Sequence, residues 1–245
     1  MSPRSTTEAP LPTGPTKTAA VRSMFDTIAP RYDLVNRIMT LGLDQGWRRA
    51  TVASLGLPEG SVLLDLACGT GDLSRIAVRD GYRVIGADLS MGMLTANSTG
   101  LALLEADAAA MPFPDASLDG VLCGYALRNF TDLALSLREI GRVVRPGGRI
   151  ALLEVAQPPR GLLRTGHAIW FERVVPVLGG ALSDRDAYHY LPRSTAYLPK
   201  ESDLRQLLIN AGFATVTRRL LHGGLSQRWT ATKVGMPAHR TPAAA

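Results

Sequence analysis

Apolar positions change their period along this chain. Between residues 18 and 56, Val21, Met24, Phe25 and Ile28 recur at helical spacing. Pro30 interrupts that pattern, because proline lacks the N–H a helix needs. A second helix is expected from about Tyr32. A third is expected from about Asp44 to Leu55, with Asp44 as its N-cap. From residue 61 the pattern shortens. Val62–Ala67 is an apolar run ending in small residues, and Leu73, Ile76 and Ala77 then mark a helix face. Tyr82–Ala87, Leu101–Ala106 and Leu118–Gly124 are further strand candidates. Ser90 is placed to cap a helix carrying Met93 and Leu94, and Thr131 or Asp132 to cap one running to Val144. A fifth strand, Arg149–Val155, follows a turn at Pro146-Gly147-Gly148. Strands alternating with helices imply βαβ units and a parallel sheet covered on both faces.

The end of the chain breaks this rhythm. Residues 201–211 read as a helix stopped by Gly212, then Phe213–Leu221 and Leu225–Lys233 read as strands. His222-Gly223-Gly224 is too short a link for a parallel crossover, so these two strands should form an antiparallel hairpin. Residues 1–17 carry four prolines and no apolar core, and are expected to be a disordered leader. Residues 234–245 are expected to be a disordered tail, which leaves 18–233 as the folded domain.

Composition adds exclusions. Apolar residues make up 46% and charged residues 20%, which fits a globular protein. Two cysteines, Cys68 and Cys123, exclude a disulfide scaffold and a cysteine-rich zinc cluster, and no metal is expected. The net charge is +6, carried by 24 arginines and 3 lysines scattered along the chain. A nucleic-acid surface would cluster them, so nucleic acid is not expected as a partner. Attraction to an anionic lipid or substrate stays open. No stretch of about 20 apolar residues spans a membrane. The best candidate, Gly161–Leu182, contains Arg164, His167, Glu172 and Arg173. Leu162, Leu163, Ile169, Trp170 and Phe171 could still line an apolar entry or touch a membrane surface. The expected location is cytoplasmic, with peripheral membrane contact allowed.

The most informative segment is Asp65-Leu66-Ala67-Cys68-Gly69-Thr70-Gly71-Asp72, where the first strand turns into a helix. Glycines let backbone approach a ligand there, and the helix N-terminus offers free N–H groups. A dinucleotide fingerprint needs a third glycine where this chain has Ser74, and a phosphate loop needs a Gly-Lys pair that is absent. An S-adenosylmethionine loop needs neither. Asp88 follows the second strand, where a carboxylate can accept ribose hydroxyls. Asp107 and Ala108 follow the third strand, where a carboxylate and a backbone N–H can hold an adenine. Gly124 ends the fourth, where a larger side chain would block the ligand.

These residues, with Met111-Pro112-Phe113-Pro114-Asp115 and Arg145-Pro146-Gly147-Gly148-Arg149, resemble the class I S-adenosylmethionine-dependent methyltransferases. The resemblance implies a Rossmann-like, seven-stranded, mostly parallel α/β sheet with a reversed C-terminal strand and an N-terminal helical cap. A narrower resemblance covers residues 20–233. Phe25-Asp26-Thr27-Ile28-Ala29, Tyr32-Asp33-Leu34-Val35-Asn36, Trp47-Arg48-Arg49, Leu127-Arg128-Asn129 and Tyr188-His189-Tyr190-Leu191 are similar to segments of the ubiquinone and menaquinone C-methyltransferases. It departs at Gly124-Tyr125-Ala126 and at Gly223-Gly224-Leu225-Ser226-Gln227. The family implies S-adenosylmethionine as cofactor, bound through Asp65, Gly69, Thr70, Gly71, Asp88, Asp107, Ala108 and Gly124. It also implies methylation of a prenylated quinol, in bacteria usually 2-demethylmenaquinol.

A quinol carbon becomes nucleophilic when its ring hydroxyl loses a proton, and a free phenol has a pKa of about 10. Arg128 is the first candidate to favour the phenolate electrostatically. Asn129 could hold a ring oxygen, Tyr32 and Asp33 could close over the cofactor, and His189 is a candidate base. Cys68 and Cys123 are expected at strand ends beside the cofactor without a catalytic part. Two rivals remain open: a soluble phenolic acceptor, and an adenosyl-ligand-binding protein without turnover.

Overall fold

A computed structural model of the chain describes residues 13–156, 158, 165–166, 170, 184, 187, 190 and 193–235. Seven strands run β1 Val62–Leu66, β2 Arg83–Asp88, β3 Ala102–Glu105, β4 Leu118–Gly124, β5 Val144–Val155, β6 Phe213–Leu221 and β7 Ser226–Lys233. They form one sheet in the order β3-β2-β1-β4-β5-β7-β6. Strands β1 to β5 pair in parallel, and β7 runs antiparallel to both β5 and β6. The single reversed strand, the hairpin and the Rossmann-like α/β architecture are as expected. The strand Arg149–Val155 extends back to Val144, because the Pro146-Gly147-Gly148 segment lies inside the pairing as an irregularity against Leu118 and Gly120.

The sheet's period-2 alternation sorts its side chains onto two faces. Leu64, Leu66, Val121, Cys123, Ile150 and Leu152 face helices α6 (Leu133–Val143) and α7 (Glu201–Asn210), packing with Leu137, Ile140 and Leu204. Leu63, Leu122 and Ala151 point the other way, onto Val52 and Leu55 near the end of α3 (Leu43–Ala53) and Leu73 and Ile76 of α4 (Asp72–Arg79). A strand covered on both faces is near-continuously apolar, which is why Val62, Leu63, Leu64 and Leu66 show no polar alternation and the acid Asp65 stands out among them.

Among the described residues three α-helices precede the sheet: α1 Gly14–Ile28, α2 Tyr32–Met39 and α3. Helix α1 begins four residues before the expected boundary at 18. Pro15 stands in its first turn, where the missing N–H has no helical acceptor anyway. Asp44 does not cap α3. The N-cap is Gly42, in the left-handed region at φ +75°, and Asp44 is buried within the first turn. Ser90 caps α5 (Met91–Ala96) by accepting from Met93 N, and Asp132 rather than Thr131 caps α6 by accepting from Leu135 N. Among the described residues no helix is long and apolar enough to cross a membrane. Most of the apolar segment 160–182, and His189, lie outside the described residues.

Candidate functional site

Parallel strands deliver their carboxyl ends to one edge, and a ligand crevice forms there. Asp65 near the end of β1, Asp88 ending β2, Asp107 and Ala108 just past β3, and Gly124 ending β4 line one cavity of about 960 Å³ that opens to solvent. Gly69, Thr70, Tyr32 and Asn129 line it too. Ala67 (φ +54°) and Tyr125 (φ +60°) sit just beyond β1 and β4 in the left-handed region, at the cavity wall. L-residues held there mark backbone bent against its preference, a feature concentrated at functional sites.

The loop is held from three sides. Gly69 N donates to Asp88 Oδ2 at 2.8 Å, and Ser90 N donates to Asp88 Oδ1 at 2.8 Å. Asn97 Nδ2 donates to the Gly69 carbonyl at 2.9 Å. Thr70 Oγ1 donates to Asp33 Oδ1 of α2 at 2.5 Å, tying the helical cap to the loop. Gly71 does not line the cavity. Its φ is +91°, and a Cβ there would stand 2.9 Å from Asn97 Nδ2 and collide with Thr99. Its glycine serves the turn and the packing of the neighbouring loop. Gly124 lines the cavity, but a Cβ there would first meet Leu73 Cδ1 at 2.8 Å, so helix packing also demands the small residue.

Helix α1 roofs the cavity with Thr18, Val21, Arg22 and Phe25. Buried Lys17 anchors it, with Nζ donating to the carbonyls of Arg128 at 2.9 Å and Phe130 at 2.7 Å and lying 3.7 Å over the Tyr197 ring. Burial lowers its pKa to about 8. Asp26 adds a second anchor by accepting from Ser90 Oγ at 2.6 Å and Gly92 N at 2.8 Å.

Burial also shapes the acids. Asp65 accepts from Ser74 Oγ at 2.5 Å, while its Oδ1 is buried without a partner. Burial raises its carboxyl to about 6, against the opposing Ser74 bond and Arg48 charge. Burial raises Asp88 as well, against its backbone hydrogen bonds. Tyr32 is raised by burial, so its hydroxyl stays a donor at neutral pH.

Arg128 is placed differently from the expectation. It is buried and does not line the cavity. Its guanidinium donates to Glu154 of β5, to Ser194 Oγ at 3.1 Å and to the Tyr125 carbonyl at 2.8 Å. The fully buried Glu154 carboxylate draws the charge under the turn, away from the cavity. Asn129 does line the cavity, and its Oδ1 accepts from Tyr190 at 3.3 Å. Cys68 lines the cavity, whereas Cys123 is buried in the core on the sheet face that meets α6. Arg48 is a cavity-wall residue whose charge the sequence did not place; the one signal for it was its position in Trp47-Arg48-Arg49.

Comparison with known proteins gives consistent matches. The profile of the ubiE/COQ5 methyltransferase family matches residues 14–233. A demethylmenaquinone methyltransferase of Roseiflexus castenholzii is 43% identical over 234 residues, covering 92% of this chain and 98% of that one. One from Thermus thermophilus is 42% identical, covering 82% and 96%. Among solved structures, a SAM-dependent methyltransferase from Thermotoga maritima superposes with a TM-score of 0.60 at 20% identity, covering 87% of this chain and 99% of that one. The phosphoethanolamine N-methyltransferase 2 of Haemonchus contortus, in complex with S-adenosyl-L-methionine, gives 0.57 at 16% identity, covering 78% of this chain and 53% of that one.

Proposed function

The chain belongs to the ubiE/COQ5 methyltransferase family, and we propose that it transfers a methyl group from S-adenosylmethionine to a ring carbon of a prenylated quinol, 2-demethylmenaquinol, giving menaquinol. The observation that carries this reading is the set of strand-end groups gathered around one cavity: Asp65, Asp88, Asp107 with Ala108, and Gly124. Their chemistry fits the cofactor. Asp88 would accept ribose hydroxyls, and Asp107 with the Ala108 backbone would hold the adenine. The unpartnered Oδ1 of Asp65 offers an acceptor to a cationic group.

When bound, the cofactor supplies an electrophilic methyl on a sulfonium, and the chain supplies orientation and field. Gly69 and Thr70 form the cradle, which Asp33 and Asn97 hold rigid. Tyr32 and Asn129 line the same cavity and would face the acceptor. A protonated Tyr32 hydroxyl and the Asn129 amide would hold the quinol oxygens and stabilise the charge left on a ring oxygen as its hydroxyl proton passes to water at the open side of the cavity. Arg128 acts through the turn: its bonds to Glu154, Ser194 and the Tyr125 carbonyl hold Leu127–Asn129 in place. It is thus a positioning residue.

A prenyl tail is apolar, and the net charge of +6 favours an anionic lipid surface. We therefore place the protein in the cytoplasm with peripheral membrane contact. The test is replacement in bacteria deleted for their own demethylmenaquinone methyltransferase. Expression of this chain should convert the accumulated demethylmenaquinone to menaquinone by chromatography and mass spectrometry. An unchanged quinone pool with the protein present would reject the acceptor assignment.

A further inference from the structure

The two segments at which the chain departs from the quinone C-methyltransferases meet in the fold. Tyr125 follows β4 and lines the cavity, and its hydroxyl lies 3.3 Å from Ser226 Oγ at the start of β7. Ser226 is fully buried and spends its one proton on the Glu154 carbonyl at 2.8 Å. Tyr125 is therefore the donor in this pair. Burial raises its hydroxyl pKa, so the proton stays in place at neutral pH. The residue is fixed from other sides too. Its N–H donates to the Leu153 carbonyl at 2.6 Å, and its own carbonyl accepts from Arg128 Nη1 at 2.8 Å. The Arg48 guanidinium carbon lies 5.4 Å from the ring centroid. These bonds hold a tyrosine at φ +60°, where L side chains are disfavoured.

The direction of the hydroxyl decides what the cavity meets. With the oxygen turned to buried Ser226, a phenol presents ring carbon rather than a polar group. This wall stands past β4, next to the turn that carries Asn129 on the acceptor side, and away from the adenosine groups at the ends of β2 and β3. A naphthoquinol carries a second, fused aromatic ring that bears no oxygen, and aromatic faces and edges pack well together. We propose that Tyr125 is a specificity-determining residue for the acceptor: its ring packs against the fused ring of the naphthoquinol, while Ser226 keeps its hydroxyl out of the cavity. This rests on the quinol reading given above. A single-ring phenol has nothing to place there.

The test compares methylation of short-chain demethylmenaquinol with that of its analogue in which the fused ring is saturated. The analogue keeps the quinol ring and the tail. Wild type should favour the aromatic acceptor about 3- to 10-fold in kcat/KM, the scale of one aromatic pair. Tyr125→Leu should shrink that preference to about one, through KM for the aromatic acceptor rather than kcat. Its calorimetric Kd for S-adenosylmethionine should stay within about twofold of wild type, since the ring is not on the cofactor. Tyr125→Phe keeps the ring without its anchor and should keep part of the preference. Ser226→Ala should match it, and the double variant should add nothing, because one contact is lost in all three. Equal use of both acceptors by wild type overturns the proposal even if the variants fail to fold. So does a preference that survives Tyr125→Leu, or S-adenosylmethionine affinity lost in step with acceptor KM, which would put the ring on the cofactor. Additive effects of Tyr125→Phe and Ser226→Ala overturn the part given to Ser226. A wild type that methylates neither quinol overturns the quinol reading itself, and this inference with it.

Discussion

Replacing Asp65 by Asn should make the ligand-free protein more stable while weakening its hold on the cofactor. Asp65 is 1% exposed, and one of its oxygens has no partner. Burial is the leading cause of its raised pKa, from 3.8 to about 6. A carboxyl whose folded pKa lies above its unfolded value contributes stability that is full below about pH 3.8 and is lost as pH rises through about 6. At neutral pH the ionised group therefore opposes folding by up to about 3 kcal/mol, at about 1.4 kcal/mol per tenfold change in equilibrium. Asn keeps the shape and an acceptor for Ser74 but cannot ionise. In a domain of this size, a gain of about 3 kcal/mol corresponds to about 6–12 °C in Tm. Thermal and urea unfolding of both proteins, without ligand, should show the gain near pH 7 and its disappearance near about pH 4. A difference that does not change with pH, or a variant less stable at pH 7, would refute the claim that burial destabilises this charge.

Other expectations follow from single contacts. Gly71→Ala should destabilise by about 1–3 kcal/mol, since an L-residue must take φ +91° against Asn97 and Thr99; a Tm within a degree of wild type would count against it. Lys17→Met removes the donor to two carbonyls beneath α1, so hydrogen exchange in Gly14–Ile28 should speed up at least tenfold while the sheet core is unchanged. Unchanged exchange in α1 would mean that the Asp26 anchor suffices alone. Leu137→Ala, in the core between α6 and the sheet, should cost about 2–5 kcal/mol in urea unfolding, and a loss under 1 kcal/mol would mean the site collapses to fill the space.

Much of the fold was legible because its causes are local or periodic. The apolar Val62, Leu63, Leu64 and Leu66, interrupted only by Asp65, marked a strand covered on both sides, and the three-residue link His222-Gly223-Gly224 left only a hairpin. The strand-end acids were legible because a parallel sheet carries every strand's carboxyl end to one edge. The side-chain placements that went astray depend on partners distant in sequence or on backbone dihedrals. Arg128 turns toward Glu154, 26 residues away on β5, and nothing local to Leu127-Arg128-Asn129 announces that partner. Asp44 looked like a cap because it is an acid before an apolar periodicity, but Gly42 takes the left-handed position and Asp44 is drawn into the pair with Arg48. Gly71 belonged to the ligand loop by spacing, yet its need for glycine comes from Asn97 and Thr99.

Methyl transfer to a quinol carbon is tested most directly with purified protein. Methyl-labelled S-adenosylmethionine would be offered with short-chain demethylmenaquinol kept reduced, with its oxidised quinone, and with a panel of soluble phenols, each followed by mass spectrometry. A C-methylated product should form from the quinol and none from the quinone, because only the quinol can lose a hydroxyl proton and make its ring carbon nucleophilic. Methylation of a soluble phenol with no quinol product would contradict it.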